Sequence, residues 1–119
     1  MEKKTLVMGA STKEERYSNM AIRSLRKHGQ PVVAVGLREA QVGDVDIVKE
    51  IPEGAIDTVT MYLNDHNQAP WEQKLLDLKP KRIIFNPGAE NREFAKRAEA
   101  AGIETIEACT LVMLNTGQF

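Results

Sequence analysis

Residues 7–19, VMGASTKEERYSN, place one glycine, two hydroxyls and an arginine–tyrosine pair between an apolar run and a helical pattern. Gly9 lets the backbone turn tightly and approach a ligand, and Ser11 and Thr12 offer hydroxyls. The helix expected from about Asn19, with Ser18 as its N-cap, turns free N–H groups toward the same space. Groups of this kind suit an anion, above all a phosphate. A turn built for a dinucleotide pyrophosphate carries further glycines. Here Gly9 is followed by ASTKEERYSN instead. Arg16 would meet a pyrophosphate and Tyr17 a base or an extended arm; a surface arginine and a tyrosine stapling the helix start are the plainer alternative.

Two other stretches carry related chemistry. NPGAE, residues 86–90, is a small-residue turn in which Gly88 permits close backbone approach. In VAVGLR, residues 33–38, Arg38 stands near where an NAD site would present an acid to the ribose hydroxyls, roughly 20 residues beyond the glycine turn. A guanidinium there fits a ribose bearing its own phosphate, so NAD is disfavoured while NADP and coenzyme A both remain open. Arg38 is equally compatible with a solvated strand end. His28 reads as a helix C-terminal residue, and His66 follows a strand at the ligand end of a sheet without an assignable partner. Cys109 reads as a small buried hydrophobe or as a thiol beside a coenzyme thiol. Asp65, Glu72 and Glu90 form no recognisable acid–base pair, and neither metal-ligand spacing nor a nucleophile motif occurs.

These residues need strands and helices to position them. Residues 5–8, 31–35, 57–63 and 82–85 read as buried strands, and IETIEA, residues 103–108, as a short fifth. Helical patterns follow Ser18, Pro70 and Asn91 and end near Gly29, Pro80 and Gly102. Residues 38–56, with Gly43, Pro52 and Gly54, read as an irregular connection, at most a short strand or helical turn. The closing CTLVML is apolar without a decisive period. Strands alternating with helices predict an α/β fold: a single Rossmann-like, doubly wound parallel sheet of about five strands, in the order 3-2-1-4-5, with helices on both faces. In that order a ligand crevice opens between the carboxyl ends of the first and fourth strands.

Length and charge agree with one domain and exclude several partners. The chain has 119 residues, 42% of them hydrophobic, and 16 basic against 17 acidic side chains give a formal charge of -1. No basic run builds a nucleic-acid surface, and no apolar run approaches the ~18 residues of a membrane span. With one cysteine and no signal-like start, the expectation is a soluble protein of the reducing cytoplasm.

GAS followed by RYSN, a glycine-and-arginine end to the second strand, NPGAEN, and a cysteine after GIETIEA resemble, in this order and spacing, the small bacterial CoA-binding domain proteins. These are similar to the N-terminal CoA-binding domain of the succinyl-CoA synthetase alpha subunit. The resemblance runs from Lys4 to about Leu114. It implies coenzyme A as ligand, with Gly9, Ala10 and Ser11 in the first turn and Arg16, Tyr17, Ser18 and Asn19 against the coenzyme phosphates. It further implies Arg38, preceded by Gly36 and Leu37, near the phosphorylated ribose, and Tyr62 and Leu63 along the adenine or pantetheine side. Asn86, Pro87 and Gly88 would face the thiol end. Relatives usually have a proline-rich turn where this chain has Gly36 and Leu37. Acyl-CoA-forming relatives also need a phosphorylated histidine from a further domain, so a binding module without its own reaction is expected. An NADP-dependent oxidoreductase, or a subunit of one, and a CoA-responsive regulatory protein are the alternatives. Trp71 and the closing TLVMLNTGQF are where a homodimer or an unidentified protein partner would touch.

Overall fold

The computed structural model describes residues 2–119. The strands are β1 (Thr5–Ala10), β2 (Val32–Gly36), β3 (Ala40–Val42), β4 (Val45–Val48), β5 (Thr58–Met61), β6 (Arg82–Phe85) and β7 (Glu104–Glu107). The helices are α1 (Tyr17–Lys27), α2 (Asp65–Gln68), α3 (Glu72–Leu78), α4 (Arg92–Ala100) and α5 (Thr110–Asn115), with a 3-10 turn at Ala69–Trp71 between α2 and α3.

Successive strand residues point to opposite faces, and both faces are apolar. Leu6, Met8, Val59, Met61, Ile83 and Phe85 bury against α3 and α4, where Phe85 meets Phe94 edge to face at 6.0 Å. Val7 and Ala34 turn the other way, toward Ile22 and Leu25 of α1 and Leu114 of α5. Helices therefore cover both faces, as expected.

The sheet has seven strands in the order β3-β4-β2-β1-β5-β6-β7, so the expected five strands in the order 3-2-1-4-5 require correction. All five expected strands exist, as β1, β2, β5, β6 and β7. The missing pair is β3 and β4, inside the stretch read as irregular. Val42 and Val45 face each other across a two-residue reversal at Gly43 and Asp44, with Gly43 at φ 59. A glycine that looked like a break is the turn of a hairpin. β4 then pairs parallel to β2 and takes the place beyond it, which moves β5 to the other side of β1. The strand across the switch from β1 is thus β5, not the expected fourth strand, now β6.

Two smaller expectations are also revised. Ser18 does not cap α1: the helix starts at Tyr17, Arg16 is the capping residue without a side-chain cap bond, and Ser18 is buried. The closing apolar segment is a helix, α5. Asn91 caps α4 as expected, its side chain accepting from the Phe94 N–H at 3.1 Å. At the opposite end of the sheet from the switch, Arg82 donates to the Thr58 hydroxyl at 2.9 Å. Its guanidinium lies 4.5 Å from the Phe119 ring centroid.

Candidate functional site

β1 sends its crossover over one face through α1, while β5 sends its own over the other through α3, and the carboxyl ends of the two strands part between them. An open cleft of about 740 Å³ lies there. Met8, Val35 and Ile47 form an apolar floor, and the turns after β1, β2, β5 and β6 form the walls.

Most residues expected at a site meet on these walls. From the first turn come Gly9, Ala10, Ser11, Thr12 and Arg16; from the end of β2, Gly36, Leu37 and Arg38. Tyr62 and Leu63 follow β5, and Pro87 and Gly88 follow β6. Five expected residues do not line the cleft. Tyr17 is 68% exposed beside it, and Ser18 and Asn19 are buried beneath the first turn. Asn86 is 1% exposed, and Cys109 is half-buried at the start of α5.

The glycines on the cleft have different reasons to be glycine. Gly9 has φ 92, and a Cβ there would crowd Tyr62 and Leu63 at 3.2 Å, so the first turn lies directly on the end of β5. Gly36 has no such φ. A Cβ on it would stand 2.5 Å from the Ala10 carbonyl oxygen and 2.9 Å from Ile47, where β1 bulges between Met8 and Ala10. Gly36 is required by neighbouring backbone, whatever else occupies the cleft.

Asn19 and Asn86 anchor the walls from behind. The Asn19 amide donates to the Ser11 carbonyl at 2.9 Å and accepts from Arg23, whose guanidinium also donates to the Glu14 carbonyl. This holds the basic loop in place. The Asn86 amide donates to the Thr60 hydroxyl at 2.8 Å and the Met61 carbonyl at 2.9 Å, and accepts from the Thr110 N–H at 2.9 Å. Its hydrogen-bonding capacity is taken up inside the protein.

Lys13, Asn64, Asn67 and Trp71 line the cleft and were not assigned to it from the sequence. Lys13 lies in the same turn as Arg16. Trp71, expected at a protein contact, lines the cleft. Asn64 caps α2 by accepting from the Asn67 N–H at 2.8 Å, an Asx pattern visible in NDHN.

The cleft is divided in charge. Lys13, Arg16 and Arg38 lie on the β1 and β2 side, and among the described residues none of the three is ion-paired. The β5 and β6 side presents Leu63, Asn64, Asn67, Trp71, Pro87 and Gly88, all uncharged. Among the described residues no Asp, Glu, His or Cys lines the cleft. The carboxylates near it are otherwise engaged. Glu90 accepts from the Gly88 N–H at 3.0 Å, Glu72 pairs with Arg97 at 2.5 Å, and Asp65 accepts from the His66 N–H at 2.8 Å. His28 closes α1, its Nδ1 2.7 Å from the Ser24 carbonyl oxygen. Tyr62 contributes a wall, but its hydroxyl is buried and has no hydrogen-bond partner among the described residues. Burial pushes this phenol up to about 12, the neighbouring Cys109 adds to the shift, and the Thr60 and Thr110 hydroxyls oppose it. Among the described residues there is no group of His, Cys, Asp and Glu able to hold a metal, and no helix is long and apolar enough to cross a membrane.

A doubly wound, mostly parallel sheet with a cationic turn at its switch point is the architecture in which α/β domains open a crevice at the carboxyl ends of their strands. Residues 3–115 match the CoA binding domain, and the chain belongs to that family. A crystal structure of an uncharacterised protein is 42% identical, with a TM-score of 0.96, covering 100% of this chain and 99% of that one. A Thermus thermophilus protein has the same fold at 21% identity, TM-score 0.88, covering 98% of this chain and 90% of that one. A dinucleotide forming acetyl-coenzyme A synthetase 1 from Ca. Korarchaeum cryptofilum, in complex with phosphate and ADP, shares the fold at 14% identity and TM-score 0.74. The match covers 89% of this chain but 25% of that one. No curated protein matches the chain.

Proposed function

We propose that the protein binds coenzyme A, or an acyl-CoA, across the cleft at the carboxyl ends of the strands, as a stand-alone binding module without a reaction of its own. The observation that carries this reading is the division of the cleft into a cationic half and a neutral half. Coenzyme A is divided in the same way: a nucleotide end bearing all the phosphates, and an uncharged, amide-rich pantetheine arm. Lys13, Arg16 and Arg38 suit the first, and Asn64, Asn67, Leu63 and Trp71 the second. The volume of about 740 Å³ is of the size that holds a cofactor. Membership of the CoA binding domain family supports the same ligand, as does the likeness to an acetyl-coenzyme A synthetase. A wall without carboxylate, histidine or thiol supports binding rather than proton transfer or nucleophilic chemistry.

The test is thermal unfolding with coenzyme A, dephospho-coenzyme A, NADPH and NADH. A ligand at a hundred times its dissociation constant adds about 2.7 kcal/mol, a rise of about 10 °C for a domain of this size. Coenzyme A is expected to raise Tm, with a smaller rise for dephospho-coenzyme A and for Arg38→Ala. Stabilisation by NADPH alone would refute the reading in favour of an NADP protein.

A further inference from the structure

Gln68 is fully buried. A glutamine amide without water is stable only if its polar atoms are paired, and these are. Its Nε2 donates to the Leu63 carbonyl at 2.9 Å and to the Ala89 carbonyl at 2.8 Å, while its Oε1 accepts from the Asn91 amide at 3.0 Å. One side chain therefore joins the turn after β5, the turn after β6 and the cap of α4. Leu63 is itself a wall of the neutral half of the cleft, and Ala89 directly follows Gly88, another wall. An apolar side chain would fill the same space but would fix neither carbonyl, whereas two donated bonds set the distance between the turns.

Resting on the coenzyme A reading, we propose that Gln68 is a positioning residue for the pantetheine half of the ligand. It touches no ligand. It holds the Leu63 turn and the Pro87–Gly88 turn at the separation in which an extended uncharged arm lies between them. The first turn has a support of its own that Gln68 does not touch, Asn19 and Arg23 from beneath, so loss of Gln68 leaves those bonds in place.

The two halves can be read separately. Calorimetric titration of the wild-type protein and Gln68→Met is carried out with coenzyme A and with adenosine 3′,5′-bisphosphate, which carries the adenosine and two of the three phosphates of the nucleotide end and no pantetheine arm. The variant is expected to bind coenzyme A on the order of tenfold more weakly while binding the bisphosphate as the wild type does. Equal weakening of both ligands, or of neither, would overturn the proposal, because a purely structural role has no preference for one end of the ligand. Should Gln68→Met not fold, Gln68→Glu is read by the same criterion, since it keeps the volume and the acceptor toward Asn91 and loses the two donations. Failure of both variants to fold would make Gln68 a folding requirement and overturn the positioning role. A wild-type protein that binds neither ligand refutes the coenzyme A reading itself, before any substitution is considered.

Discussion

Tyr62 serves the cleft with its ring and withholds its hydroxyl. The oxygen is buried with no hydrogen-bond partner among the described residues, and burial pushes the phenol up to about 12 from the ordinary 10.0. A group whose proton is held more tightly in the folded state stabilises the fold fully below its unfolded pKa. That contribution is lost as pH rises through its folded value. Stability is therefore expected to fall between pH 10 and about 12, the window set by this residue. Tyr62→Phe should abolish that part of the alkaline decline in a pH series of thermal melts. At neutral pH it should leave the stability unchanged or raise it by up to about 1 kcal/mol, because an unpaired buried hydroxyl is removed. A clear loss of stability at neutral pH would show that the hydroxyl has a partner after all.

At the scale of elements, α4 depends on a cap that also serves the clasp around Gln68. Asn91 accepts from the Phe94 N–H and donates to Gln68 and, at 3.4 Å, to Glu72. Asn91→Ala is expected to cost about 1–2 kcal/mol, visible as a drop in Tm of several degrees, and Asn91→Asp should recover part of it by restoring the cap acceptor. This cap was legible in the sequence because a side-chain acceptor before a helix has one local meaning. So were β1, β2, β5 and β6, read from their apolar runs, and the first turn, whose Gly9, Ser11 and Arg16 advertise anion chemistry without reference to anything distant. The hairpin of β3 and β4 was not, since Gly43 was weighed as a break rather than as the reversal between Val42 and Val45. Asn64, Asn67 and Trp71 were not legible as cleft residues either, because their place beside β1 depends on strand order and not on local pattern. Tyr62 and Leu63 were reached only through resemblance. α5 was ambiguous because an apolar run of six residues fits a strand and a helix equally.

At the scale of the whole molecule, the sheet is closed on neither side, and its two margins are unlike. β3 has only three residues, too few to template another strand well, while β7 offers Glu104–Glu107 along an open edge with Ile106 exposed. A free row of backbone donors and acceptors beside an apolar side chain invites a second sheet to add on. The two glutamates that bracket Ile106 oppose this, because a neighbouring copy aligned on the same edge would bring carboxylates against carboxylates. Replacing both, as Glu104→Val with Glu107→Val, is expected to leave the monomer fold intact but make it associate with rising concentration, as followed by light scattering. Particle size that stays constant with concentration would show the edge to be guarded by other means. β7, the least buried strand of the sheet, is therefore where a gatekeeper against aggregation is expected to act.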